Sequence, residues 1–335
     1  ASSGWTGTWR RSGNGTVSLV PGSYVIAVTR HAMRTEFVDA TVVDGVHDTV
    51  AITMQPTVSV YFDTLRQVCT HDGVPVSIGG FGVAVMEDID CDGDRDLVTV
   101  DAAGTVNRYD NDSGLHLTQT LTLDLGGSES VQGLRLAHLD NDSMPEYLVG
   151  LSTGEVIRFD GATMTRTSWY TAAAGLTGLE LVDYNDDHEP DLVLGYGDGT
   201  IDLALSDGSG GWLAATSLTD DAFAPLDVGD NASVASTALT PDGEQDILAG
   251  AADGVIRWFA RDTAGTYAAR GRANADGVGM VVAGEAAVSL VRNEPGMLPV
   301  LLGSDHNGDI YTAPATLTGD FDGDGVAGFA DYMDF

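Results

Sequence analysis

Short carboxylates recur at alternate positions along this sequence, a spacing that suits a hard divalent cation. In Asp88-Ile89-Asp90-Cys91-Asp92-Gly93-Asp94-Arg95-Asp96 the acids stand at positions 1, 3, 5, 7 and 9 of a tight loop, with Gly93 at the bend. Alternate residues of such a loop aim their side chains inward together, and Ca2+ takes about six to eight oxygens at roughly 2.3–2.6 Å. The expected ligands are Asp88, Asp90, Asp92 and Asp96, with Asp94 giving at least its backbone carbonyl. The same spacing in a third stretch offers Asp183, Asn185, Asp187 and Asp191, with Glu189 at position 7. A second stretch keeps Asp140, Asp142 and Glu146 but begins with His138, a poor ligand for a hard cation.

Two weaker copies continue the series. One retains Asp242 and Asp246, and the other, near residues 291–301, has no carboxylate at the key positions, so both are expected to be held by packing alone. At the C-terminus a twelve-residue loop places Asp320, Asp322 and Asp324 at positions 1, 3 and 5, Gly325 at the sharp turn of position 6, Val326 at the carbonyl position and Asp331 at position 12. The plainer reading of any one such loop is a solvated turn. Three carboxylates crowded without a cation repel one another, which favours bound Ca2+ in the first, third and C-terminal loops and leaves the second open between the two readings. About two to four Ca2+ ions are expected.

The elements that position these loops are short strands. Each loop lies between apolar runs, and about ten residues later each unit has a glycine turn into another strand, at Gly104, Gly154, Gly199, Gly254 and Gly308. With Asp88, His138, Asp183, Ala238 and Val291 as equivalent first positions, the steps are 50, 45, 55 and 53 residues. A period near fifty made of short strands is the length of one four-stranded propeller blade. The expected fold is therefore all-β, a propeller of about five blades over residues 57–316. The fifth unit ends at its third strand, so Val58-Ser59-Val60-Tyr61-Phe62 is expected to supply the missing outer strand and close the ring.

The units resemble the FG-GAP or VCBS repeat of integrin-α-type propellers, whose D-x-[DN]-x-D-G-x-x-D-L motif stands here as Asp88, Asp90, Asp92, Gly93, Asp96 and Leu97. That resemblance implies an extracellular calcium-binding propeller. Ahead of it, residues 1–56 read as strands, and Pro21-Gly22-Ser23-Tyr24-Val25-Ile26-Ala27-Val28 resembles a strand of the carboxypeptidase-regulatory-like β-sandwich, here in partial form. Residues 317–335 resemble half of a type I dockerin. The opening Ala1-Ser2-Ser3-Gly4-Trp5, without Met or leader, is expected of a processed or partial chain.

Composition narrows the functional classes. The 335 residues carry 50 acidic side chains against 15 basic ones, a formal charge of -35, which excludes an electrostatic nucleic-acid binder. Even about four divalent ions would leave most of that charge as a solvated, repulsive surface. No apolar run is long enough to span a membrane as a helix. With Cys69 and Cys91 as the two cysteines, a single bridge or two free thiols are both open. No Gly-x-Ser-x-Gly elbow, His-Glu-x-x-His, phosphate loop or Cys-x-x-Cys is present, and the seven histidines are scattered.

The sequence is thus read as a non-enzymatic, secreted or cell-surface, calcium-binding structural or adhesive protein. Its partners would be a protein, a glycan or copies of itself. The alternatives are a calcium-dependent polysaccharide lyase, disfavoured for an anionic substrate by the scarcity of basic residues, and a lectin.

Overall fold

The computed structural model describes residues 22–30, 33–42, 60–62, 66–70, 72–90, 92, 94–111, 117–125, 130–140, 142, 144–237, 239, 244–262, 264–275, 278–279, 281–291 and 300–317. The chain divides into two units, Ala1–Val58 and Ser59–Phe335. In the first, Gly22–Arg30 and Met33–Val42 pair antiparallel, with Gly22 opposite Val42 and Arg30 opposite Met33. The other strands expected there, and hence the sandwich, lie outside the described residues.

Among the described residues of the second unit every regular element is a strand. Blade 1 is Gly82–Glu87, Asp96–Asp101, Thr105–Asn111 and Leu117–Asp124, hydrogen-bonded in that order. Blade 2 is Val131–Ala137, Glu146–Leu151, Glu155–Phe159 and Arg166–Thr171. Blade 3 is Leu176–Val182, Asp191–Tyr196, Ile201–Ala204 and the short Thr216–Ser217. Blade 4 is Ser233–Thr237, Asp246–Gly250, Ile256–Arg261 and Tyr267–Arg272.

Blade 5 contributes Ala287–Val291, Val300–Ser304 and Ile310–Leu317, and takes its outer edge from the start of the unit. Val60–Phe62 pairs antiparallel with Ala315–Leu317, and Arg66–Gln67 with Tyr311–Thr312. The expected closure therefore forms through Val60, Tyr61 and Phe62, while Val58 and Ser59 lie outside the described residues. First strands of successive blades pack against one another in cyclic order, Gly82–Glu87 returning to Ala287–Val291, so the ring is closed with five blades.

Burial follows from this stacking. The second strand of each blade is covered on both faces, so it reads as a continuous apolar run such as Leu192-Val193-Leu194, each fully buried. Outer strands are wetter: Arg166–Thr171 is exposed or half-buried throughout. The core consists of clusters between adjacent blades, for example Leu148 and Val156 of blade 2 against Leu176, Leu192 and Leu194 of blade 3. Truncating one such leucine to alanine costs about 2–5 kcal/mol.

The recurring glycine sits at the turn from second to third strand. Gly154 has φ +92° and Gly199 φ +87°, the left-handed region where a Cβ is costly. A Cβ on Gly154 would also stand 2.3 Å from the carbonyl oxygen of Ala173, in the link to the next blade. Both the turn and the close passage of that link require glycine.

Inside the ring, Arg135 on the first strand of blade 2 is buried and spans several blades. Its Nη2 donates to Glu180 Oε2 of blade 3 at 2.9 Å and to the Val234 carbonyl of blade 4 at 2.9 Å, with the Val288 carbonyl of blade 5 at 3.4 Å. The axis is filled at this level by a paired charge.

Candidate metal centres in the blade loops

Each acidic loop follows the first strand of its blade and returns into the second, so its position-9 carboxylate begins a buried strand. Asp96, Glu146, Asp191 and Asp246 are all at most 1% exposed. Each accepts the N–H of the loop's second residue: Ile89 to Asp96, Leu139 to Glu146, Tyr184 to Asp191 and Leu239 to Asp246, at 2.7–3.1 Å. In three blades the other oxygen accepts a second N–H, from Asn111, Ser206 or Arg261. Position 9 therefore ties the loop after the first strand to the end of the third strand, a role the ligand spacing alone does not reveal. Burial raises the Asp96 carboxyl above its usual range, opposed by those N–H donors and by Arg108. Burial raises Asp191 too, opposed by its backbone donors and reinforced by Asp187 and Asp183.

The acids of blades 1 and 2 reach the spacing that calcium needs, whereas Asp183, Asp187 and Asp191 of blade 3 do not form such a group. Two ligands on opposite sides of Ca2+ are about 4.8 Å apart. In blade 1, Asp88, Asp90 and Asp92 bring carboxylate oxygens within 4.8 Å of one another, and Asp90, Asp96 and Asp110 do the same. In blade 2 the group that forms is Asp140, Glu146 and Asp160. Asp142 turns instead to the Met144 N–H at 2.8 Å. Asp94 and Glu189, the position-7 residues, donate their N–H groups to Asp92 Oδ1 and Asp187 Oδ1, both at 2.9 Å.

In blade 3 the loop folds around its own acceptors. Asp183 Oδ1 and Asn185 Oδ1 each accept the Asp187 N–H at 3.1 Å, and Asp183 Oδ2 accepts the His188 N–H at 2.9 Å. Asn185 Nδ2 donates to Asp187 Oδ2 at 2.9 Å. Asp186 and His188 have φ of 59° and 68°, so this loop holds two non-glycine residues in the left-handed region where glycine is preferred. Cys91, Gly93, Asp242, the fifth loop and the C-terminal set Asp320, Asp322, Asp324, Val326 and Asp331 lie outside the described residues.

Two arginines complete the first two loops. Arg108 Nη2 lies 3.4 Å from Asp96 Oδ2 and 3.6 Å from Asp90 Oδ2, and its Nε donates to Asp110. Arg158 Nη2 donates to Asp140 Oδ2 at 2.8 Å and to Glu146 Oε1 at 3.0 Å. Asp140 is held below its usual range by the Asp142 N–H, by Glu146 and by Arg158. Ligand spacing overlooks these arginines and Asp110 and Asp160, because the motif stops at position 9. A signal exists: Arg108-Tyr109-Asp110 and Arg158-Phe159-Asp160 stand at the same offset from Asp88 and His138, where blade 3 has Leu203-Ala204-Leu205.

A separate open cleft of about 320 Å3 lies on the opposite end of blade 3, lined by Tyr196, Asp198, Thr200, Asp202 and Ser217 with Ala173–Gly175. Asp198 accepts from Thr200 and Asp202 from Ser217, each at 2.7 Å.

No model of a known protein family matches the chain, nor does any curated protein. Among solved structures the chain is similar to the crystal structure of BBS1N in complex with ARL6DN, soaked with lead, at 10% identity and TM-score 0.39, over 76% of this chain and 97% of that one. The complex soaked with mercury gives 8% identity and TM-score 0.40, over 72% and 80%. At that distance the likeness carries no partner or activity across, and the propeller rests on the strand pairing described above.

Proposed function

We propose that this chain is a non-enzymatic scaffold of the FG-GAP/VCBS type, secreted or at a cell surface, whose rigid ring presents its loop faces to a protein partner while calcium stiffens the acidic loops. The supporting observation is the third loop. There Asp183, Asp187 and Asp191 lie close enough for the first two to raise the third, and the exposed imidazole of His188 stands 3.7 Å from Asp183 Oδ2. A divalent ion would relieve that repulsion and offset the left-handed strain. The scaffold role is supported by ring closure through the start of the unit, which makes one rigid body of the five blades. The C-terminal loop would hold a further ion.

The test is thermal unfolding in calcium and in chelator. Calcium should raise the melting temperature of the wild type, and by less in the D183N/D187N variant. A wild-type melting temperature indifferent to calcium would remove the metal from this reading, and chelator-sensitive cleavage of a uronate polymer would replace it with a lyase. The cleft beside Tyr196 supports a lectin as the second reading, which glycan-array binding with and without chelator separates from pure scaffolding.

A further inference from the structure

We propose that Arg108 and Arg158 are the resident cations of the first two loops, so that a divalent ion binds there only by displacing a guanidinium, whereas blade 3 is open to it. The inference deepens the calcium reading for blade 3 but does not need it for blades 1 and 2. It rests on the repeat of one arrangement in two blades. Each arginine leaves the third strand, which places it beside the loop, and puts one Nη2 between the position-3 acid and the buried position-9 acid: Asp90 and Asp96 in blade 1, Asp140 and Glu146 in blade 2. Those are the oxygens a calcium ion would need, and the acids that approach them from the third strand, Asp110 and Asp160, follow the arginines by two residues. A guanidinium is a fixed, permanently charged donor that suits carboxylates, and in a partly desolvated site it neutralises them without any ion from solution.

The third blade shows the alternative. At the corresponding place Leu203 is buried in the core between blades 3 and 4, and among the described residues the third strand brings no cation to the loop's carboxylates, while Arg261 of blade 4 lies over the Tyr184 ring, 4.3 Å from its centroid. The two latches also differ from each other. Arg108 is engaged through Nε as well as Nη2, but Arg158 Nε is buried without a hydrogen-bond partner.

The experiment measures calcium binding by calorimetry and thermal unfolding in chelator for the full chain, for R108Q and R158Q, and for the charge-keeping R108K and R158K. Each glutamine variant should melt lower than wild type in chelator, with partial rescue in the lysine variant, and should bind calcium at its loop at least about ten-fold more tightly than wild type. Calcium should then restore the lost melting temperature. If wild type binds calcium while the glutamine variants match it in both measurements, the guanidinium is not the loop's counter-ion and the inference falls, with the calcium reading intact. If no protein binds calcium but the glutamine variants still melt lower than the lysine variants, the resident-cation role stands and the calcium reading fails.

Discussion

The loops of blades 1 and 2 and the loop of blade 3 carry nearly the same acidic spacing, yet they satisfy it differently. In the first pair an arginine from the third strand sits among the carboxylates at 2.8–3.6 Å. In all three loops the carboxylates also accept backbone N–H groups of their own loop, Asp88 and Asp92 in blade 1, Asp140 and Asp142 in blade 2, Asp183 and Asp187 in blade 3, so the difference among the described residues is the arginine. An acidic motif therefore states how much negative charge must be neutralised and leaves open which cation does it. The deciding residue lies on another strand, well past the motif.

The largest effect expected belongs to the most buried arginine, which sets the upper end of this comparison. Arg135 and Glu180 are both more than nine-tenths buried, and E180Q leaves the guanidinium charge without its partner on the ring axis. A loss of about 3–5 kcal/mol is expected in denaturant unfolding. A smaller loss, about 1–3 kcal/mol, is expected for D96N, which exchanges one acceptor of the blade 1 clasp for an amide and removes one of the three carboxylates around Arg108.

Blade 3 should respond with a change of sign. In chelator, D187N removes repulsion and should leave the melting temperature equal to wild type or raise it by about 2 °C, whereas in calcium it should melt below wild type. The same direction in both conditions would mean that loop 3 does not use a metal.

The smallest effect concerns pH and calibrates the stiffness of the frame around blade 3. Tyr184 and Tyr267 share a buried hydrogen bond of 2.8 Å between blades 3 and 4, and burial raises both phenols above their ordinary value of 10.0. In the unfolded chain they ionise near 10, while in the folded ring they stay protonated. The stability they contribute is thus fully present below 10 and lost as pH rises above it. Tyrosinate absorbance during alkaline titration should lag for these two groups until the ring opens, and Y267F should flatten the alkaline loss.

Much of the fold is legible in the sequence because a propeller repeats its constraints. The buried second strand needs an apolar run, the turn after it needs a left-handed glycine, and the two recur together in all five blades. The ligand acids are legible for the same reason. The clasp at Asp96, Glu146, Asp191 and Asp246 is harder to see, because a carboxylate accepting backbone N–H groups and one ligating calcium require the same residue at the same place. Arg135 and Glu180 are harder still, since they occupy single blades, lie 45 residues apart and meet only because the ring closes. Arg108 and Arg158 lie between these cases: their shared offset is written in the repeat, but their meaning appears only once the third strand is placed beside the loop.

The most direct measurement is long-wavelength anomalous diffraction from crystals of the full chain grown with low-millimolar calcium. The expected map has a calcium peak within the loop of residues 183–191, with guanidinium density, not metal, between Asp90 and Asp96 and between Asp140 and Glu146. A blade 3 loop without a peak, or peaks of equal height in all three loops with both arginines swung out, would contradict the division of labour between bound metal and built-in arginine.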